Sequence, residues 1–334
     1  MKIFKDIVYL ILFSPIFFIE LINYKFFKIN CSRLSHQYLI KLFMFSGGWS
    51  NDLIHNFTRK KLNFENEKFF LSNKKEFNNR INDLNNWGFY KEETFLTGES
   101  IDKILIKLKS LKGKYSGDKI ADDNLYELNP NHKLRPARFT YETSDLLEIP
   151  EIQEILLSDK ILKTANLYLK SIPIIDIVTA WWTFPTIETD KKAAQFWHFD
   201  MDRSKWLKVF IYLNDVNLDN GPHCFIKKSH LNNGIDFKIR KKGYNRLEDS
   251  IIDYHYSKND IEYIFGKKGA ILFEDTRGLH KGLRVKKDSR LLLQIQFSSS
   301  LFGGKLNPIQ SPKNQIDKFQ NMKKNNPIMF QAFE

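Results

Sequence analysis

The sequence predicts an α+β chain, with helices through its first half and a β-barrel or double-sheet jelly roll after them. Three observations carry this. Apolar residues recur at helical spacing from Leu146 to Leu169. From Ile172 the pattern changes to short runs rich in Ile, Val, Thr, Phe and Trp. Clusters of Gly, Asn, Asp and Lys separate those runs at short intervals. The chain has 334 residues, 42% of them hydrophobic and 27% charged, a globular composition that excludes a largely disordered protein. Its length suits about two domains or one large one with additions.

Taken in order, Ile7 to Ile19 is apolar except for Ser14 and Pro15, with Lys2 and Lys5 ahead of it. As a helix of about 20 Å it is short of a hydrocarbon core of roughly 30 Å, and extension to Ile22 admits Glu20. No small-residue cleavage site follows. Residues 1–28 therefore form an apolar segment expected to lie on or partly in a membrane, through residues 7–22, or to cap a hydrophobic groove. Residues 29–170 are expected to be mainly helical and to pack on the barrel. Within them, Asn82 to Ile104 reads as a helix end, a short strand and a capped helix. The main helix of the Leu146 to Leu169 stretch starts near Pro150 and ends before Pro173. Residues 171–300 form the catalytic core, with strands at Ile174–Phe184, Phe196–Asp200, Leu207–Leu213, Ile261–Phe265, Ala270–Glu274 and Arg290–Phe297. Residues 301–334, with Pro308, Pro312 and Pro327, read as a loosely packed tail.

The net charge is +13, from 52 basic and 39 acidic residues. The lysines are spread along the whole chain, so this reads as composition more than as a local patch. The densest run, Lys238, Arg240, Lys241, Lys242 and Arg246, is either a solvated loop or a recognition site for an anionic ligand. Cys31 and Cys224 are too few for a disulfide framework or a four-cysteine metal site, and a reducing compartment is allowed.

The sharpest chemical signal is His198-Phe199-Asp200. Residues i and i+2 of a strand share a face, so one imidazole and one carboxylate converge. His280 follows a later strand-like run, and two histidines with one carboxylate are the facial triad of non-haem Fe(II). Arg290 opens a strand whose alternate residues are Leu292, Gln294 and Gln296, while Leu291, Leu293, Ile295 and Phe297 take the other face. Helices packed outside would turn Arg290 inward, where a buried guanidinium needs an anion. A dicarboxylate bridging it and the iron is what 2-oxoglutarate would be. Lys208 shares a face with Phe210 and Tyr212 and can reach an anion inside. Gln195 and Trp197 flank His198 as substrate contacts or as packing. His230 reads as a turn-stabilising residue, and His223 and His255 are rival ligands if His280 fails. Trp181 and Trp182 point to opposite faces, so at most one lines the pocket. Thr276 and Arg277 are placed to orient His280.

These residues lie in segments that together resemble the phytanoyl-CoA dioxygenase family. The segments are Ala165 to Leu169 before Pro173, Gln195 to Asp200, Leu207 to Val216, Asn220-Gly221-Pro222-His223, Ser229-His230, and His280 to Phe297. The resemblance runs from about Ile81 to about Phe297 and covers neither end. It implies a double-stranded β-helix of the jelly-roll or cupin-like type. It also implies His198, Asp200 and His280 as iron ligands, Arg290 as the clamp on 2-oxoglutarate, and O2 as oxidant. Phe210 departs from the tryptophan that many relatives carry there, and Gly282 from the serine that some carry. The expected activity is hydroxylation of a C–H bond in a small-molecule or lipid-like, anionic substrate, with release of succinate and CO2. The expected location is cytoplasmic, with a membrane-associated variant of that reading. Two alternatives stand beside it: a nucleic-acid-modifying oxygenase of the same barrel, and a non-catalytic membrane-associated binding protein. The basic residues do not interleave with aromatics in a nucleic-acid stripe, and no H-E-x-x-H, G-x-G-x-x-G, Walker or C-x-x-C motif is present.

Overall fold

A computed structural model describes residues 2–61, 70, 74–118, 120, 123–129 and 136–334. Parts of the expected peripheral stretch, 62–69 and 71–73, lie outside the described residues. The first three helices are α1 (Lys2–Phe27), α2 (Arg33–Ser46) and α3 (Trp49–Thr58). Next come α4 (Asn78–Trp87), strand β1 (Phe89–Glu92) and α5 (Gly98–Leu108), the helix–strand–helix order expected around Asn82–Ile104. Thr97 caps α5 by accepting from the Ser100 amide. Strands β2 (Lys112–Ser116), β3 (Tyr126–Glu127) and β4 (Arg138–Tyr141) follow, then α6 (Thr143–Leu147), α7 (Pro150–Leu156) and α8 (Asp159–Leu169). The single helix expected from Pro150 is thus two, because Ser158 takes an extended conformation and restarts the chain as an N-cap.

The core strands are β5 (Ile174–Thr183), β6 (Trp206–Tyr212) and β7 (His223–Ile226), then β8 (Ile261–Ile264), β9 (Ile271–Glu274), β10 (His280–Gly282) and β11 (Arg290–Ser298). Short helices α9 (Phe237–Arg240) and α10 (Asp249–His255) separate β7 from β8, and α11 (Asp317–Asn325) follows β11. Eight strands form one sheet in the order β1-β9-β6-β11-β5-β4-β2-β3, and three form a second, β10-β7-β8, all paired antiparallel. Phe196–Asp200 was expected to be a strand. It makes only isolated bridges, Trp197 to Leu247 and His198 to His280, which extend the small sheet past β10.

Strand alternation sorts the core. Leu291, Leu293, Ile295 and Phe297 of β11 join Val209 and Ile211 of β6 and Ile152, Leu156, Ile161 and Leu162 of the helices in one cluster. Truncating one of these to alanine costs about 2–5 kcal/mol. The opposite face gives Trp181, Phe210, Tyr212, Leu272 and Leu292, which pack on Phe225 and Ile264 of the small sheet. Trp181 is therefore the inward tryptophan, while half-buried Trp182 donates to the Tyr141 hydroxyl on the other face. The β11–β5 register slips between Gln296 and Phe297. Asp176, left without a partner there, accepts from both arms of the Arg203 guanidinium at 2.9 and 2.8 Å and from Ser298 at 2.7 Å.

Both chain ends differ from expectation. Residues 301–334 are packed: Phe319 and Met329 are fully buried, and Phe319, Phe330 and Phe333 form an aromatic cluster. Pro327 follows the end of α11, and the prolines do not loosen the segment. Helix α1 runs through Glu20, whose carboxylate accepts from the Ser32 amide, so its length is not the 13 residues read from the apolar run. One stripe of it, Phe17, Leu21 and Tyr24, is buried; Tyr38 stacks on Phe17, and the Leu301 amide donates to the Tyr24 hydroxyl.

Candidate metal centre

The bridge between His198 and His280 places the two imidazoles side by side, with ring centroids 4.2 Å apart. Asp200, two residues past His198, donates its amide to the Thr276 carbonyl at 2.8 Å and turns its carboxylate toward both rings. Oδ1 lies 3.9 Å from His198 Nε2, and Oδ2 lies 3.5 Å from His280 Nε2. The donor atoms of all three residues fall within 4.8 Å of one another. Each histidine donates its Nδ1 proton to a carbonyl two residues back, His198 to Phe196 and His280 to Gly278, both at 2.9 Å. That fixes the tautomer and leaves both Nε2 lone pairs free to bind an ion. Burial, then the neighbouring charge of the other imidazole, holds His198 well below the usual histidine range. Burial works against ionisation of Asp200, but Lys208 and the two histidines more than offset it and lower its pKa. Two neutral imidazoles and an ionised carboxylate converging in a buried cleft fit one divalent cation.

The scaffold behind this cluster is ionic. Arg277 makes a two-pronged pair with Asp275, donating at 2.7 Å from Nη2 and 3.0 Å from Nε, and Tyr168 donates to the same carboxylate at 2.5 Å. Thr276 Oγ1 accepts from Trp206 Nε1 at 2.8 Å. Thr276 and Arg277 thus hold the turn that carries His280 and meets Asp200, and the carbonyl of Gly278 orients the ring.

The other sequence candidates are distributed as follows. Arg290 is 3% exposed, opposite Thr183 on β5; Nη1 donates to the Gly221 carbonyl and Nε has no partner. Gly221 has φ +77° and its Cα faces the Leu283 carbonyl so closely that a Cβ would sit 2.4 Å away. Lys208 reaches inward, but its Nζ rests on the protein's own carboxylates, 2.5 Å from Asp200 and 3.3 Å from Asp202. Gln195 accepts from the Asp190 amide and leaves Nε2 buried and unpartnered. Trp197 is spent elsewhere: its indole donates to Asp249 at 2.7 Å beneath the Lys281 ammonium. His230 Nε2 meets the Asn85 carbonyl, and His255 meets Asp236. In the basic run, Arg240 is buried and donates to the carbonyls of Ile235 and Met44. Lys238, Lys241 and Lys242 line a shallow surface pocket with Tyr254.

Glu274 is the functional-looking residue that sequence reasoning missed. It is fully buried opposite Lys208, and His223 Nε2 lies 3.0 Å from its Oε1. Its Oε2 has no partner, and burial pushes its pKa up to about 8. His223 stacks parallel to His280 at 5.6 Å, and His223, Glu274 and His280 make a second set whose donor atoms lie within 4.8 Å of one another, sharing His280 with the first. The one sequence signal was a carboxylate ending the apolar Ile271–Glu274 strand.

No family model matches this chain, and neither does any curated protein. Among solved structures it is similar to the non-heme alpha ketoglutarate dependent epimerase SnoN from nogalamycin biosynthesis, at 12% identity and TM-score 0.48 over 74% of this chain and 98% of that one. It is also similar to HygX from Streptomyces hygroscopicus with nickel and 2-oxoglutarate bound, at 13% identity and TM-score 0.48 over 72% and 93%. AviO1 from Streptomyces viridochromogenes Tue57 aligns at 14% identity and TM-score 0.43 over 69% and 96%.

Proposed function

We propose that this chain is an Fe(II)- and 2-oxoglutarate-dependent oxygenase on a double-stranded β-helix, as the phytanoyl-CoA dioxygenase resemblance implies. The convergence of His198, Asp200 and His280 in one buried cluster carries the reading. These three would hold the ion on one side and leave its other positions for ligands. Arg290, charged and short of a partner, would bind the distal carboxylate of 2-oxoglutarate. Trp181, Phe210, Leu272 and Leu292 supply an apolar wall that excludes water from that side. Bound iron supplies the redox chemistry that couples O2 and 2-oxoglutarate to C–H oxidation, giving succinate, CO2 and the hydroxylated product. The substrate is a small molecule or lipid-like compound carrying negative charge.

The same protein docks peripherally on an anionic lipid surface. Ile11, Leu12, Phe18, Ile19, Ile22 and Phe26 of α1 are exposed, and Trp49, Leu53 and Phe57 form an exposed ridge on α3. Lys25 lies over the Phe57 ring where the two meet. Residues 1–61 carry nine Lys and Arg against three Asp and Glu, the sign that anionic headgroups require. Lys5–Phe27, with mean hydropathy 1.9, is long enough to cross a bilayer. A span would strip Phe17, Leu21 and Tyr24 from the catalytic body, so an in-plane helix is favoured.

Two experiments test these readings. Anaerobic addition of Fe(II) and 2-oxoglutarate should produce a visible charge-transfer band that Asp200→Ala lacks. A folded wild-type protein with no band would refute the oxygenase. The protein should sediment with phosphatidylglycerol-containing vesicles and not with phosphatidylcholine alone, and the double variant Phe18→Asp/Phe26→Asp should not. Dimerisation without vesicle binding would assign the apolar face to a second copy instead.

A further inference from the structure

Arg138 and Arg290 flank one residue. Arg138 of β4 and Arg290 of β11 each pair in register with Thr183 of β5, from opposite sides. Directly opposed residues share a face, and two strand spacings set the two arginine Cα atoms about 10 Å apart. This face is the inward one, because Trp181, two residues before Thr183, belongs to the cluster between the sheets.

Two guanidiniums on one inward face repel each other unless an anion lies between or beside them. Among the described residues, no carboxylate pairs with either. Arg138 lies over the Trp181 ring at 4.0 Å and gives Nε to the Thr140 hydroxyl at 3.1 Å. That indole fixes the plane of the fork, and among the described residues neither Nη atom has a hydrogen-bond partner. Thr183 Oγ1 and Arg290 Nε are both buried without partners in the same place. Burial, and then the Arg290 charge, lowers the Arg138 pKa to about 10, a cost that an anion would relieve. The two arginines differ in access: Arg290 is buried, whereas Arg138 is half-buried and so meets what enters from solvent.

We propose that Arg138 is a second anion anchor of this pocket, holding a carboxylate or phosphate group of the organic substrate while Arg290 holds the co-substrate. The division of labour rests on the oxygenase reading; the anion site does not. Inorganic phosphate serves as probe, titrated by calorimetry and by Trp fluorescence, with Trp181→Phe identifying the responding indole. Wild type and Arg290→Leu should bind phosphate, and Arg138→Leu should bind at least about fivefold more weakly. Arg138→Lys, which keeps the charge but not the stacked planar fork, guards against a folding artefact and should recover part of the binding lost in Arg138→Leu without reaching wild type. With Mn(II) present, 2-oxoglutarate affinity should fall at least about tenfold in Arg290→Leu and stay within about twofold in Arg138→Leu. Equal phosphate binding by Arg138→Leu, or none by wild type, overturns the anchor. Loss of 2-oxoglutarate binding in Arg138→Leu overturns its assignment to the substrate. Failure of every protein to bind 2-oxoglutarate, with the phosphate results as expected, would instead refute the oxygenase and leave the anion site standing.

Discussion

Replacing Lys208 with methionine should weaken the metal-free protein and strengthen its hold on a divalent cation. Its ammonium lies 2.5 Å from Asp200 Oδ2 and 3.3 Å from Asp202 Oδ2, and both carboxylates raise its pKa against the pull of burial. Methionine keeps the apolar stem but leaves Asp200 facing two neutral imidazoles. Removing one partner of a buried pair costs about 3–5 kcal/mol. At about 2 °C per kcal/mol for a large domain, Tm in EDTA should fall by about 6–10 °C. A cation bound at the triad has the opposite interest. It shares Asp200 with the ammonium, and a divalent and a unit charge 4 Å apart repel by about 8 kcal/mol at an effective dielectric constant of 20. Swinging the lysine toward Asp202 relieves much of this, but a sixth of it is still a decade in affinity. Mn(II) binding, measured by calorimetry, should therefore tighten about tenfold, and Mn(II) should restore most of the lost Tm. Unchanged or weaker Mn(II) binding would refute this account. Unchanged Mn(II) binding with weakened 2-oxoglutarate binding would place the ammonium on the co-substrate, as the sequence alone allowed.

Gly282→Ser adds a side chain whose Cβ would sit 2.9 Å from Arg290 Nη2. It should displace the guanidinium and lower 2-oxoglutarate affinity several-fold, with Mn(II) affinity unchanged. Arg277→Met leaves Asp275 buried and unpaired, a loss of about 3–5 kcal/mol visible in denaturant unfolding. His55 gives a pH signature. It is buried against the Ser299 hydroxyl, and burial, then Lys205 and Arg277, push its pKa down to about 3. Between that value and the unfolded value near 6.5 the unfolded chain binds the extra proton. Stability is then full above about pH 6.5 and falls by about 1.4 kcal/mol per unit as pH drops toward 3. Buried His198 and His223 are depressed in the same direction, so Tm should fall with acid at least this steeply, and His55→Gln should make the fall shallower by one proton's worth.

What the sequence made legible follows from how local each signal is. Strands β5, β6, β9 and β11 were readable because a strand buried on both faces is a run of apolar residues that needs no partner to be recognised. The alternation along β11 then assigned Arg290 to the inner face, since only one face could carry four consecutive large aliphatic and aromatic residues. The His198–Asp200 pair is readable from its spacing, although the segment is not a strand and the Asp200 amide, held by the Thr276 carbonyl, is what turns the carboxylate inward. The bulge at Asp176 was not, because it exists only through the offset between β5 and β11 and the Arg203 side chain that fills it. Arg138 was also illegible: its meaning depends on Thr183 separating it from Arg290, two strands distant in space and more than 150 residues distant in sequence. Glu274 looked like the polar end of a strand because nothing local says that His223 and Lys208 face it. The tail reads as loose from its prolines alone, whereas packing of Phe319, Phe330 and Phe333, invisible in the local sequence, is what decides order there. Residues whose role is set by their own strand could be named in advance; residues whose role is set by a cross-strand neighbour could not. On that ground Arg138, which only the sheet register reveals, is the position where substitution should separate anchoring of the substrate from assembly of the metal centre.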